Sequence, residues 1–403
     1  MTRTFRSILV ASIAIAAAAF AGTAQARNVR PNVSPAPRLS WQVVAPNWTK
    51  ADKELGRVDD LLRVGKRVFI GGNFTVLANH KGKSVTRTYL AVVKNNGSLG
   101  GFHARLDGRV YGLASSPNGK FLYVAGMFSH VNGRARAGLA SFNLRTNRLV
   151  KRVPNLHIRG GLRMVAATRT ALYIGGSFRS VMGRPRVHLA KLVLHGRRFA
   201  LNTRWHPSTN GEVRDIVLDV PRRRVYVAGT FTEVNGRSQP GLTALGVRRG
   251  KLTTWVNHPQ YDILDIALCG NRLYAAEGGP GGTAISYTAS TGRRRWYYTT
   301  DGNVQAVAVV RKYPVFGMHG DYVAPKRNES MSEHGKSARI QRHKAFMLSP
   351  RGVLQTWNPD FSSTAGVLGL WALRGYRGSV YAGGDFTGVH GVAQQRFAIL
   401  PGR

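Results

Sequence analysis

One phrase recurs along this chain, and its period limits the fold more than any other property. It reads VFIGGNFTVL from Val68, LYVAGMFSHVNGRARAGL from Leu122, LYIGGSFRSVMGRPRVHL from Leu172, VYVAGTFTEVNGRSQPGL from Val225 and VYAGGDFTGVHGVAQQRF from Val380. Phe74, Phe128, Phe178, Phe231 and Phe386 hold one register, at spacings of 54, 50, 53 and 155. The last gap spans about three periods, so two worn copies belong inside it. They open at Leu273 (LYAAEGGPGGTAISY) and at Val315 (VFGMHGDYVAP). A fixed period of this length marks an array of one supersecondary unit.

Each unit has the same grammar. A short apolar run such as GEVRDIVLD from Gly211 is followed by a turn, then by a β-branched and aromatic run ending in two small residues, as in RVYVAGTF from Arg224. A polar loop leads to a third run, GLASFNL from Gly138, and a fourth ends near an aromatic, KLTTWV from Lys251. Runs of this composition split by Gly, Asn and Pro read as strands, and no 3.6-residue apolar period is sustained after the first 26 residues. The expected fold is all-β: a seven-bladed β-propeller of four-stranded blades. The last unit stops after RFAIL, while RLSWQVVAP (Arg38 to Pro46) precedes the first unit as a spare strand. Pairing Arg38–Val44 beside Arg396–Leu400 is expected to close the ring and remove an open edge. The paired small residues before each Phe allow close backbone approach or a positive φ.

The phrase V-Y/F-x-G-G-x-F-T-x-V-N-G-R, followed by an L-A-x-L strand, resembles the delta-60 repeat family of bacterial WD40-like β-propellers. The resemblance covers roughly residues 38–400 and is clearest in the units at Leu122, Leu172, Val225 and Val380. It implies a propeller. It carries no catalytic residue, because the family's motif contains none.

Residues 1–26 read as a cleavable secretory leader: Arg3 and Arg6, an apolar stretch from Ile8 to Phe20, and Ala24-Gln25-Ala26 before the cut. The apolar stretch is too short to span a bilayer comfortably, and no other segment approaches membrane-spanning length. Residues 27–37 (RNVRPNVSPAP) read as a disordered linker, and 38–403 as one domain. The lone Cys269 can form no internal disulfide and reads as a small buried hydrophobe. The leader takes two of the 59 Lys and Arg and none of the 18 Asp and Glu, which leaves a net charge of +39. A field of that size attracts polyanions. For an exported or cell-envelope protein these are cell-wall phosphate polymers, acidic glycans, anionic lipid head groups and extracellular DNA.

In propellers the loops between strands two and three share a face with the loops between blades. The former hold Arg134, Arg136, Arg184, Arg186, Arg237 and Arg396, with Lys81, Lys83 and Arg87 in the first unit; the latter hold His103, His157, His206 and His258. Arg suits bidentate contact with phosphate or carboxylate, so this rim is the candidate anion-binding surface. Lys326 and Arg327 join it from Ala324–His343, a polar insertion in the sixth unit expected to project as a mobile loop. Asp60, Asp215 and Asp265 recur at one position of the innermost strand, where other units carry Gly112, Met164, Ala306 and Gly369. They are either a carboxylate set near the channel or aspartates that tie down a loop or pair with Arg214 or another rim Arg. HGDYV around Asp321 is an isolated polar spot on a worn unit. SYTASTGRRRW (Ser286 to Trp296) has the spacing of the quinoprotein blade motif, but Thr288 stands where that motif has Asp; it reads as a hairpin turn followed by a Trp between blades. No HExxH, Cys/His cluster, EF-hand loop, GxSxG or P-loop occurs, and no metal or cofactor is expected. The expected function is that of a secreted, monomeric, non-enzymatic propeller binding an anionic partner. The alternatives are a propeller enzyme acting on an extracellular glycan and a scaffold without a specific ligand.

Overall fold

In a computed structural model, the structure describes residues 32–45, 55–257, 259–333, 335–363 and 369–402. The expected leader, residues 1–26, lies outside them. Among the described residues the only helical turns are Met331–Glu333 and Lys336–Ala338, and no helix is long and apolar enough to cross a membrane.

Among the described residues, seven sheets repeat one antiparallel meander. Their first strands are Arg57–Val64, Val110–Ser115, Leu162–Ala167, Val213–Asp219, Ile263–Cys269, Val304–Val310 and Leu370–Tyr376; we number the sheets I to VII in that order. The second strand of each is the recurrent phrase, Arg67–Asn73 in sheet I and Ser379–Gly384 in sheet VII. The first strand of each sheet packs beside the first strand of the next, and that of sheet VII packs beside that of sheet I. A full fourth strand forms in sheets II, III and V. In sheets I, IV and VI it shrinks to single bridges, Val93↔Leu99, Leu245↔Leu252 and Leu348↔Leu354.

The small residues of the phrase are explained by close approach, not by positive φ. A Cβ on Gly71 would meet Val110 of the next sheet at 2.6 Å, and a Cβ on Gly383 would meet Val58 of sheet I at 2.5 Å. The core accordingly lies between neighbouring sheets. Phe128 is buried among Phe69 of sheet I and Val110 and Val124 of sheet II. Val58 and Ile70 of sheet I share a cluster with Ala372, Tyr381 and Phe397 of sheet VII. Tryptophans fasten one unit to the next: the indole N–H of Trp205 donates to Gly246 O at 3.0 Å and that of Trp296 to Pro350 O at 3.2 Å. Their rings meet Tyr173 edge-on and Tyr274 at a tilt, geometries that aromatic quadrupoles favour. Trp296 has the role between units that its position after the Thr291-Gly292 turn implied.

Three expectations need correction. The segment Arg38–Val44 does not run as one strand beside Phe397–Leu400. Only Arg38 bridges it, donating its N–H to Ile399 O at 2.8 Å. Gln42–Val44 turns to pair with Val76–Ala78, Val43 opposite Leu77, because Val43 finds its apolar cover there, with Phe74 and Leu77. Second, the end of the presumed linker is packed. Val33 is buried and bridges Gly402, and Ser34 N donates to Pro401 O at 2.8 Å, because the outer edge of sheet VII lacks a fourth strand and accepts them. Third, Ala324–His343 is not an open loop. It runs down the outer edge of sheet V, where Ala324 N donates to Thr299 O and Asn328 N to Tyr297 O at 3.0 and 2.9 Å. Ile340–Gln341 then pairs with Tyr322–Val323, and Ala324 and Met331 are buried. The edge carbonyls of Tyr297 and Thr299 supply partners that the polar composition of the insertion did not reveal.

Candidate functional site

Each first strand slips by one residue near its start, between Val58 and Asp60 in sheet I, Val213 and Asp215 in sheet IV, Leu370 and Ala372 in sheet VII, and equivalently elsewhere. A bulge re-aims side chains. The skipped residues are Asp59, Tyr111, Arg163, Arg214, Leu264, Gln305 and Trp371, and together with Arg57 they line one shared depression of about 110 Å³. The residue after the slip in sheet VII is Ala372, not Gly369, which corrects the alignment of the acidic position.

That acidic position is a tie between sheets. Asp60 accepts the N–H of Leu61 and, across the gap, that of Leu113, both at 2.7 Å. Asp215 accepts Ile216 N at 2.7 Å and Ile266 N at 3.0 Å; Asp265 accepts Ile266 N at 2.9 Å and Val307 N at 2.8 Å. Each carboxylate thus joins its own bulge to the next sheet. Arg374 donates to Asp60 at 2.9 Å; 42% of its side chain is open, so solvent reaches the guanidinium although it lies deep among the three acids. Burial raises the pKa of Asp60, Asp215 and Asp265, and Asp265 is raised further by the neighbouring charge of Asp215. With their oxygens taken by backbone N–H groups, these side chains have the geometry of fasteners.

The depression is held by stacked and paired arginines. Arg109 grips Asp59 through Nε and Nη2 at 2.6 and 2.7 Å, and Arg57 joins at 2.9 Å. The Arg57 guanidinium lies over Trp371 at 4.3 Å, and those of Arg109 and Arg163 lie over Tyr111 at 4.6 and 4.1 Å. Glu212 receives Arg163 at 2.8 Å and Arg214 at 3.4 Å. Beside them Asp385 is buried, and burial pushes its pKa up to about 7, against the pull of Arg57.

Around this depression the loops between sheets are stitched to the hairpins between second and third strands. Asn132 N donates to Arg105 O at 2.8 Å, Arg179 N to Arg159 O at 3.0 Å and Asn235 N to Ser208 O at 2.9 Å. The two loop sets therefore form one surface. On it Arg105, Arg134, Arg159, Arg179, Arg184, Arg204 and Arg237 are exposed, as are His103, His157 and His206; His258 lies outside the described residues. Arg134, Arg184 and Arg237 occupy equivalent positions opposite Val131, Val181 and Val234. The exposed acids of the same loops are Asp107 and Glu233. Asp107 is engaged by Ser129 and His130; despite partial burial, their N–H groups hold its pKa down to about 2.

The other expected anion-binding residues are placed differently. Arg136 and Arg186 fold back so that Nη1 donates to the preceding carbonyl, Ala135 O and Pro185 O, at 2.7 and 2.6 Å. Arg87 does the same with Thr86 O at 2.8 Å. These guanidiniums brace their own hairpins. Arg396 is buried, with φ of +58°, and donates to Gln395 at 3.0 Å. Its carbonyl accepts from Gly384 and its N–H donates to Phe386 O, which turns the guanidinium against Gly56 at the start of sheet I. Lys326 is exposed at the outer edge of sheet V, 3.8 Å from Glu329, and Arg327 reaches the far end of that edge, donating to Arg351 O at 2.8 Å. Apart from Arg214, which the sequence offered as a partner for an aspartate and which faces Glu212 instead, the residues of the depression were missed. Nothing in a strand such as GRVYGLAS announces a one-residue slip.

No family model matches the chain, and no curated protein matches it. Solved structures do. The WD40 β-propeller domain of Doa1 matches at 10% identity with a TM-score of 0.50, over 90% of this chain and 96% of that one. U3-55K matches at 13% identity with a TM-score of 0.54, over 86% and 95%. The β-propeller domain of Cps50 (Swd1) from Myceliophteria thermophila matches at 10% identity with a TM-score of 0.51, over 89% and 98%. At such identities the likeness concerns the fold alone.

Proposed function

Starting from a WD40-like β-propeller, we propose that this chain is a seven-bladed ring, exported through its leader, that binds an anionic extracellular or cell-envelope polymer on its loop face without converting it. The neighbour order of the first strands and the contact of Gly383 with Val58 support the closed ring. Residues 33–38 bridge the outer strand of blade VII and supply part of its missing fourth strand. The repeat phrase supports a place among the delta-60 repeat propellers.

One observation carries the binding proposal. The stitched loop face of blades II to IV exposes seven arginines against two acids, and one of those acids is already engaged. Guanidiniums spread over one surface suit a polymer with repeated phosphate, sulfate or carboxylate groups. Cell-wall phosphate polymer, acidic glycan and extracellular DNA share that chemistry. The three aspartates near the axis favour a fastening role, which weighs against the hydrolase alternative.

The test is binding of wall phosphate polymer, heparin and DNA across a salt series, for the wild type and for R134S/R184S/R237S. The expected result is saturable binding that weakens steeply with salt and falls at least about tenfold in the variant. Affinity insensitive to salt and to the three substitutions would end the proposal.

A further inference from the structure

A second concentration of charge lies at the opposite end of blades V and VI, on the turns joining strands one to two and three to four. It is a cleft of about 370 Å³ lined by Arg272, Arg293, Arg294, Arg295, Arg327 and Arg351. No carboxylate is among its lining residues, and no ion pair joins any of the six to an acid among the described residues. Six like charges around one hollow repel each other, and such a cluster is favourable only when a counter-charge enters.

The cleft is a constructed feature. The buried Trp296 forms its floor and ties blade V to the turn of blade VI through Pro350 O, and Gly352 permits the close approach of that turn to the indole, where a Cβ would stand 2.8 Å from the ring. Arg294 lies over Tyr297 at 4.9 Å, Arg295 donates to Thr288 Oγ1 at 3.4 Å, and Arg327 is brought in by the insertion running along the edge of blade V. Nη1 of Arg272 is buried and has no partner among the described residues. An orphaned buried guanidinium N–H is costly.

We infer that this cleft is a binding site for a compact oligoanion, two or more tetrahedral phosphate or sulfate groups close together. Planar guanidiniums can each offer two parallel N–H groups to such oxygens, and the hollow, about 370 Å³, is larger than one tetrahedral anion fills. The site is on the face opposite the loop-face arginines and stands independently of the polymer-binding proposal.

The experiment is calorimetric titration of the full chain with tripolyphosphate, inorganic phosphate and a multiply sulfated disaccharide. The variants are R293S/R295S/R351S, whose side chains are exposed, R327Q alone, and R134S/R184S/R237S as the control on the other face. The wild type should bind tripolyphosphate saturably at one site, at least about tenfold more tightly than inorganic phosphate. R293S/R295S/R351S should lose at least about tenfold in affinity at unchanged melting temperature, R327Q should lose a smaller factor, and the loop-face variant should bind as the wild type does. A preference between tripolyphosphate and the sulfated sugar identifies the source of the oxyanion, and either preference supports the site. Absence of saturable binding, equal affinity for inorganic phosphate, indifference to R293S/R295S/R351S, or loss in the loop-face variant would each overturn it.

Discussion

The aspartates after the bulges show how much depends on where a single carboxylate points. Asp60 satisfies two backbone N–H groups from different blades and orients Arg374. Asp60→Ala leaves the amides of Leu61 and Leu113 without acceptors, so we expect a loss of about 2–4 kcal/mol, with Asp60→Asn recovering part of it through its remaining carbonyl oxygen. Urea unfolding checks this; equal stability of the wild type and Asp60→Ala would contradict the fastening role. Asp385 makes a prediction of opposite kind. Its pKa is raised to about 7 from 3.8, so the folded state holds the proton more tightly than the unfolded chain. Its contribution is fully present below about pH 4 and is lost as pH rises to about 7, at roughly 1.4 kcal/mol per unit at most. Asp385→Asn does not titrate. Its melting temperature should therefore gain on the wild type steadily between pH 4 and pH 7, and parallel pH profiles would refute the assignment.

At the scale of elements, the insertion is the instructive case. It is polar throughout, yet it forms an added layer on blade V because the edge of Arg294–Thr300 offers unpaired backbone groups. Thr299 is its anchor: Oγ1 donates to Glu329 O at 3.1 Å and accepts Met331 N at 2.8 Å. Thr299→Val removes both bonds while keeping a β-branched shape, at a cost of about 1–2 kcal/mol confined to this segment. Trypsin should cut within residues 324–343 faster in Thr299→Val than in the wild type, while the global melting temperature changes little. Equal cutting rates would mean that the segment is not held by that residue. The N-terminal segment follows the same logic. Residues 33–38 lie on an edge strand of blade VII that has no fourth strand of its own, and Val43 fills the cluster around Phe74 and Leu77. Deleting 32–45 should expose both edges, lowering stability by several kcal/mol and promoting association through the bared strand of blade VII; light scattering and thermal melts read the two effects separately.

For the whole molecule, the charge acts through its distribution. The loop face and the Arg cleft concentrate guanidiniums at two ends of the blades, while the few acids are drawn into ties such as Asp59, Asp219 and Glu212. An acid already engaged by protein contributes little to repelling an anion, so the surface is more basic than composition alone conveys. With single-stranded DNA as a probe, R134S/R184S/R237S should reduce the slope of log affinity against log salt by about two units, since each phosphate contact contributes roughly 0.7. An unchanged slope would place the polymer elsewhere on the surface.

The repeat phrase, read alone, determined the all-β, propeller-like array of repeated units and the use of Trp296 between units, because a residue that packs against its own neighbouring copy must recur with the period of the copies. Arg134, Arg184 and Arg237 were legible as one surface for the same reason: equivalent positions in a repeat are equivalent positions in space. What repetition cannot encode, the tertiary structure decided. The one-residue slip that turns Arg163, Arg214 and Trp371 into one depression leaves the strand pattern unaltered. Arg136 and Arg396 look like Arg134 in sequence, but one is spent on its own hairpin and the other is buried at the junction of blades VII and I. The Arg cleft joins four stretches that no local spacing connects: Arg272, Arg293–Arg295, Arg327 and Arg351. Residues 38–44 and 324–343 were misread because their partners are strand edges, and a strand edge attracts through backbone groups that every sequence carries alike.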